Sequence, residues 1–192
     1  MDGTNNWTVF HRSVTTTNQK VFYLNTIGAI ANYSNGSYTW WHQLPGASLF
    51  YIGDLSTAIN NGTNDMISYH WHDVPGLQKF GPCKGSGASA APDFVELGFK
   101  PSIVWVKRTD NTSNWTVWDS SRSTSNPSQK LLYLNTNGSE QDVAADAIDI
   151  LSNGFAIRSS SAITQTGSQT YIYCAWAEAP SFNLYGGQSN AR

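Results

Sequence analysis

The residue types best suited to binding a ligand are clustered in the first third of the chain. The cluster consists of Tyr33, Tyr38, Trp40, Trp41, His42 and Tyr51. Faces of Trp and Tyr rings stack on the apolar faces of sugars, and nearby amide and hydroxyl groups can form hydrogen bonds with sugar hydroxyls. In an extended chain Trp40 and Trp41 point to opposite faces, so one ring can be buried while the other stays exposed. We therefore predict a glycan-binding patch of Tyr38, Trp40, Trp41, His42 and Tyr51, with core filling or a subunit contact as the alternative.

Two histidines at alternate positions raise the question of a metal site. His70 and His72 share one face of a predicted strand, a spacing at which two imidazoles can chelate zinc. Zinc needs three or four ligands, however, and the matching positions in the second half of the chain are Ala175 and Ala177. The sequence therefore predicts exposed strand histidines, with no metal site and no cofactor.

Paired carboxylates are the other chemistry to consider, because glycoside hydrolysis needs two acids about 5–10 Å apart across the scissile bond. The nearest arrangement is Glu140, Asp142 and Asp146, which has no aromatic neighbours and lacks near-alternating spacing. We interpret it as a solvated loop, and Asp73 and Glu178 as capping acids at strand ends. The chain has no Gly-x-Ser-x-Gly motif and no P-loop. It therefore predicts no catalytic residue, and a glycan-degrading enzyme stays as the second alternative.

Composition limits the class of protein. The chain of 192 residues has a net charge of −2, and only 12 % of its residues are charged, against a usual value of about 25 %. Without a basic block it is not expected to bind nucleic acid, and without an apolar run of about 20 residues it is not expected to insert into a membrane. Cys83 and Cys174 are too few for a disulfide framework. Abundant aromatic, Ser, Thr, Asn and Gly residues favour an all-β protein with polar turns.

The chain repeats itself. Residues 6–26 match residues 114–136, and residues 67–76 match residues 172–181. A repeat of this length indicates a duplicated domain rather than a solenoid. We expect a partial first unit at 1–76 and a complete second unit at 77–192.

The first unit has no copy of the segment Phe99–Arg108. The predicted sheet of that unit therefore has an open edge, which invites association with another strand. Either another chain fills this edge or the missing segment lies upstream in a longer precursor.

Short β-prone runs bounded by turn residues predict the strands. Ile103–Val106 has the apolar pattern of a central strand, Phe155 follows a tight turn at Asn153-Gly154, and residues 141–149 are expected to form a loop or a single helical turn. Alternation along 171–176, repeated at 66–71, assigns Ile67 and Trp71 to the core with their counterparts Ile172 and Trp176. We expect a β-sandwich of the jelly-roll or concanavalin-like type. Its two sheets are expected to bury Trp105, Trp115, Trp176, Ile103, Phe155, Ile157 and Ile172.

Several segments in fixed order resemble a known family. They read KFGPCKGSG, ELGFKPSIVWVKRTD, NWTVWDSSR, SNGFAI, TYIYCAWAEAP and a terminal SNAR. Together they resemble a domain repeated in tail-fibre and other virion proteins of marine phages, over 77–192 well and over 4–76 in part. The resemblance implies a lectin-like β-sandwich and a virion structural or host-adhesion role at the particle surface. The expected partners are other virion proteins, further copies of the chain and a host surface glycan, and the family supplies no catalytic residues.

Overall fold

The computed structural model describes residues 6–14, 20–32, 45–46, 48–52, 65–85, 93–158 and 169–179. These residues form twelve strands and one 3-10 helix at Ala144–Asp146. The expected all-β sandwich is confirmed. The strands are β1 (Thr8–Val9), β2 (Lys20–Tyr23), β3 (Ala31–Asn32), β4 (Gln78–Lys84), β5 (Asp93–Glu96), β6 (Pro101–Arg108), β7 (Thr116–Asp119), β8 (Lys130–Tyr133), β9 (Gln141–Asp142), β10 (Ile148–Leu151), β11 (Gly154–Ile157) and β12 (Thr170–Ala177).

Two antiparallel sheets form the sandwich. The large sheet has six strands in the order β4-β12-β6-β7-β8-β9, and the small sheet has three in the order β10-β11-β5. Tyr171, Tyr173 and Ala175 alternate along β12 and enter the core between the sheets, as a pleated strand requires. Phe155 and Ile157 of the small sheet enter the same core, as expected. We call the face of the large sheet that borders this core its inner face, and the opposite one its outer face.

Strand β6 is central, as its apolar pattern predicts. It pairs with β12 on one side and with β7 on the other. Val104 and Val106 lie in the core, whereas Ile103 points to the outer face and is 38 % exposed. The expectation that Ile103 is buried is therefore wrong, because the covering of the outer face does not reach it.

The turn between β10 and β11 differs by one residue from the predicted turn. Leu151 pairs with Gly154, so Ser152 and Asn153 form the turn and Gly154 opens the next strand. A Cβ atom at Gly154 would lie 2.1 Å from the carbonyl oxygen of Val95 on β5. Close approach of two strands therefore requires glycine here. Upstream, the 3-10 helix confirms the helical turn expected for residues 141–149, but the two ends of that stretch lie in β9 and β10, where no strand was predicted.

A third sheet, which we call the first-repeat sheet, contains β1, β2 and β3 in that order. Its register matches that of the second repeat, since Thr8 pairs with Tyr23 as Thr116 pairs with Tyr133. The two matching sequence blocks thus form equivalent strand pairs. The division into units 1–76 and 77–192 stays a prediction.

The same asparagine closes both strand pairs. The Asn25 side-chain oxygen accepts the backbone N–H of Trp7 at 3.0 Å, and the Asn135 oxygen accepts that of Trp115 at 2.8 Å. The two bonds differ in their surroundings, because Trp7 is 41 % exposed and Trp115 only 2 %. Equivalent local hydrogen bonds are therefore exposed to water in one repeat and partly buried in the other.

The first-repeat sheet covers part of the outer face of the large sheet. Phe22 of β2 packs edge-on against Trp115, with ring centroids 5.9 Å apart, and Ile172 joins this cluster. The Trp115 indole N–H also donates to the carbonyl oxygen of Tyr23 at 3.0 Å. Trp115 and Ile172 are buried as expected, but beneath the first repeat rather than between the two sheets of the sandwich. Trp105 and Trp176 contact each other on the outer face and are only partly buried, so the expectation that the two sheets bury them was wrong.

Lys107 of β6 lies under this cover and is fully buried. Its ammonium group donates to the carbonyl oxygens of Ile27 at 3.0 Å and Ser113 at 2.5 Å. Burial lowers the pKa of Lys107 from 10.5 to about 8, since the low-polarity surroundings disfavour the charged form. The Lys107 ammonium group thus binds one carbonyl oxygen of the first repeat and one of the second.

We predict that Asn135→Ala lowers the free energy of unfolding by about 1–3 kcal/mol, because the buried N–H of Trp115 loses its acceptor. Asn25→Ala removes the equivalent bond in an exposed setting, where water can replace it, and should cost less than about 1 kcal/mol. Urea unfolding of both variants measures the difference. Equal losses of unfolding free energy in the two variants would contradict the prediction that burial strengthens the contribution of this hydrogen bond.

We predict that Lys107 makes stability depend on alkaline pH. Between its folded pKa of about 8 and the ordinary value of 10.5, the unfolded chain binds more protons than the folded chain. The cost of burying the charge is fully present below pH 8 and is relieved as the pH rises. The free energy of unfolding of the natural protein should therefore rise relative to that of Lys107→Met between about pH 8 and 10.5.

Urea unfolding of both proteins at a series of pH values measures this contribution. The same substitution at exposed Lys84 serves as the control. Parallel pH profiles of the natural protein and Lys107→Met would contradict the prediction.

Candidate functional site

The predicted glycan patch is only partly within the described residues. Tyr38, Trp40, Trp41 and His42 lie outside them, as does Tyr33 of the wider aromatic cluster. Tyr51 lies within them and is partly exposed. Whether these side chains form one patch stays a prediction.

The segment at residues 65–73 differs from its prediction. No strand is formed there in the part of the chain that the structure describes, although the matching residues of the second repeat lie in β12. Ile67 and Trp71 are each 54 % exposed, so assigning them to the core was wrong. Ile172, the counterpart of Ile67, is buried, because β12 has a paired strand on each side and the first-repeat sheet across its outer face.

An open row of aromatic rings replaces the predicted core contacts. We define the aromatic row as Trp7, Tyr69 and Trp71, all exposed. The ring centroids of Trp7 and Tyr69 are 6.5 Å apart and those of Tyr69 and Trp71 are 6.1 Å apart, with interplanar angles of 31° and 24°. Tyr69 and Trp71 are alternate residues of one segment and stack, whereas Trp7 comes from the start of the chain and its ring is tilted against Tyr69. The row is an exposed apolar surface of the kind that marks contact sites.

The aromatic row ends on the outer face of the large sheet. Trp71 meets Trp176 edge-on, with centroids 6.3 Å apart. Trp176 in turn packs between Phe80 of β4 at 5.5 Å and Trp105 of β6 at 4.9 Å. Trp71 and Trp176 hold matching places in the two repeats, so the repeats contact each other through equivalent side chains.

The two histidines at alternate positions are exposed. A ring nitrogen of His70, Nε2, lies 2.8 Å from the Ser68 hydroxyl, and the His70 ring contacts Phe50 with centroids 4.2 Å apart. Among the described residues no group of three or more His, Cys, Asp or Glu side chains could hold a metal ion. Because His70 lies between Tyr69 and Trp71 in the chain and contacts Phe50, it links the segment before Tyr51 to the aromatic row.

The acidic residues are dispersed in ion pairs and turns. Glu140 forms ion pairs with Arg122 at 3.5 Å and Lys130 at 3.4 Å. Asp146 is the last residue of the 3-10 helix and is buried, so its interpretation as part of a solvated loop was wrong. The Asp73 carboxylate accepts the backbone N–H of Phe80 at 2.9 Å, which is the capping role expected of it.

A polar hollow of about 430 Å³ lies at one end of the sandwich. Glu178 is the one carboxylate in its described lining, together with Lys100 and Asn126. Its remaining polar groups are hydroxyls of Ser120, Ser121, Ser123, Thr124 and Ser125. A single carboxylate does not provide the pair of acids that glycoside hydrolysis uses.

Both cysteines are free thiols. Cys83 faces the inner core, whereas Cys174 alternates with the core residues of β12 and points to the outer face. Burial raises the pKa of each thiol to about 12. Thiols that stay protonated near neutral pH are poor nucleophiles and behave as small apolar groups.

Sequence reasoning missed several buried polar residues, among them Lys107 and His11. His11 follows β1, and its Nδ1 accepts the backbone N–H of Ser13 at 3.3 Å, as the carboxylate of Asp119 accepts that of Ser121 at 3.0 Å. Burial lowers the pKa of His11. Alignment of the two repeats could have paired His11 with Asp119 as a turn cap. No local pattern marks Lys107.

Comparison with known proteins places the chain in a family without a known activity. No curated protein and no solved structure matches it. Among the described residues no helix is long and apolar enough to cross a membrane. The model of one family, described as a domain of unknown function and designated DUF7483, matches residues 1–180. The chain therefore belongs to the DUF7483 family.

Proposed function

We propose that this protein is a non-enzymatic structural component of a phage virion surface, such as a tail-fibre, decoration or appendage protein. The observation that carries the proposal is the exposed aromatic row of Trp7, Tyr69 and Trp71. Tyr and Trp dominate the energetic centres of protein interfaces, and a contiguous exposed aromatic surface is unusual on a protein that stays alone. The resemblance of 77–192 to a phage fibre domain supplies the location, and further copies of the chain and other virion proteins are the proposed partners.

The distribution of acids supports a non-enzymatic role. Glu140 is held in ion pairs, and Asp73 accepts a backbone hydrogen bond. Glu178 faces the polar hollow without a second acid in its described lining. The described residues thus support a role in binding rather than in catalysis.

We predict that the protein purifies with phage particles. After a density gradient, mass spectrometry of the particle band should detect the chain in many copies, and gold-labelled antibodies should decorate the particle surface. Light scattering of the isolated protein should give the mass of a homo-oligomer, because the aromatic row is available for contact. Finding the protein only in the gradient fractions without particles, and no gold label on the particles, would contradict the virion assignment.

A second candidate function is a carbohydrate-binding adhesin. One observation favours it: Phe50, which precedes Tyr51 of the predicted patch, contacts His70 beside the aromatic row. Tyr51, the described member of the predicted patch, thus follows in the chain a residue that contacts the segment of the aromatic row. Several aromatic faces on one surface suit weak binding of a glycan, and multiple copies on a particle would strengthen it.

We predict for this candidate that Trp40→Ala or Trp41→Ala reduces binding on a glycan array at least about tenfold, by removing a stacking face. Phe94→Ala is the matched control, since Phe94 is an exposed aromatic residue on the small sheet. A reducing-sugar assay run in parallel should stay at background. Unchanged binding by both Trp variants would refute the patch, and released sugar would favour the enzyme.

A further inference from the structure

The polar hollow at one end of the sandwich contains a carboxylate that the described fold does not use. Glu178 holds the place in the second repeat that Asp73 holds in the first. The Asp73 carboxylate accepts the backbone N–H of Phe80, whereas the Glu178 carboxylate forms no hydrogen bond or ion pair with any described residue. It lines the hollow instead, and is exposed there.

Lys100, which precedes β6, brings a positive charge to the same hollow. Its ammonium group forms no ion pair with Glu178 or with any other residue in the described ranges. The two opposite charges therefore line one space without neutralising each other by direct contact. An anionic ligand would meet the Glu178 carboxylate and a cationic ligand the Lys100 ammonium group, so the hollow suits a ligand without net charge.

The loop between β7 and β8 supplies the hydroxyl groups of the lining, and its backbone is held at both ends. At the first end the Asp119 carboxylate accepts the backbone N–H groups of Ser121 at 3.0 Å and Arg122 at 2.9 Å. At the other end the Asn126 side chain donates to the carbonyl oxygen of Ile150 and accepts its N–H, both at 2.9 Å. Hydroxyls without a hydrogen bond to any described residue belong to Ser120, Ser121, Thr124 and Ser125. The backbone that carries them is thus ordered before a ligand binds, which lowers the entropy cost of binding.

The size and polarity of the hollow limit the class of ligand. Its volume of about 430 Å³ falls within the range of about 300–1,000 Å³ that is typical of small-molecule sites. Ile150 is the one apolar residue in its described lining, so an apolar ligand would leave the hydroxyls without partners. Each hydroxyl of a sugar both donates and accepts a hydrogen bond, and can therefore pair with a carboxylate, an ammonium group or another hydroxyl.

We propose that the polar hollow binds a neutral hexose unit of a glycan. The Glu178 carboxylate accepts hydrogen bonds from sugar hydroxyls, the Lys100 ammonium group donates to sugar oxygens, and the loop hydroxyls complete the set. This site differs from the predicted aromatic patch, because no aromatic side chain is present in its described lining. It goes beyond the virion role and does not depend on it.

Calorimetric titration of the full chain with the methyl glycosides of glucose, galactose and mannose tests the proposal. We expect at least one of them to bind with a Kd of about 1–10 mM, as suits a ligand of this size. Glu178→Ala should weaken that binding at least about tenfold, because a charged acceptor is lost. Glu96→Ala is the matched control, since Glu96 is an exposed acid on the small sheet, and its affinity should equal that of the natural protein. Urea unfolding of both variants should match the natural protein, because both side chains are exposed.

Charge specificity provides a readout that a merely structural role of these residues would not move. The natural protein should bind cationic glucosamine and anionic glucuronic acid more weakly than the neutral glycoside. In Lys100→Met the Glu178 carboxylate remains alone, so the affinity for glucosamine should rise at least about threefold. In Glu178→Ala the Lys100 ammonium group remains alone, and the affinity for glucuronic acid should rise by a similar factor.

Three outcomes would overturn the proposal. The first is no binding of any of the three neutral glycosides, and the second is tighter binding of a charged sugar by the natural protein. The third is full binding by Glu178→Ala, and loss of binding in Trp41→Ala would then assign the sugar to the predicted aromatic patch. Hexose binding in the hollow by a protein that is absent from phage particles would uphold this site and reject the virion role, so the two proposals fail separately.

Discussion

The burial of the outer face of the large sheet beneath the first repeat is the constraint on which the rest of the structure depends. A sandwich normally has one core, between its two sheets. Here the opposite face of the large sheet is also covered, because Phe22 of the first-repeat sheet packs on Trp115 and Ile172. Lys107 is held inside this second contact by two carbonyl oxygens. Separating the first-repeat sheet from the large sheet would expose this apolar surface to water and remove the Ile27 carbonyl from the Lys107 ammonium group, so each sheet stabilises the other.

Matching tryptophans of the two repeats differ in exposure. The backbone N–H groups of Trp7 and Trp115 donate the same hydrogen bond to an asparagine side chain, yet Trp7 is exposed and Trp115 is buried. Trp115 has the first-repeat sheet against it, while Trp7 has only Tyr69 as a described aromatic neighbour. The same local structure thus leaves one indole ring exposed and places the other in a core.

The acids considered for catalysis are engaged in structural contacts, since Glu140 forms ion pairs and Asp73 accepts a backbone hydrogen bond. The thiols have a pKa of about 12 because they are buried. The exposed side chains include the row of Trp7, Tyr69 and Trp71, with Phe50 and His70 beside it. Aromatic rings provide large contact area at little loss of conformational freedom, which supports the assembly role proposed above.

The sequence alone determined the fold class, the equivalent strands of the matching blocks and the central place of β6, because alternation and turn residues act over a few neighbouring positions. Asn25 and Asn135 could be matched for the same reason. Only the tertiary structure decided which faces are covered. Trp71 and Trp176 have the same local pattern, but Trp176 is partly buried because Phe80 and Trp105 pack against it, whereas Trp71 is exposed. Lys107 is buried because a distant segment at Ile27 folds over it, and contacts between residues so far apart in the chain leave no periodic trace in the sequence.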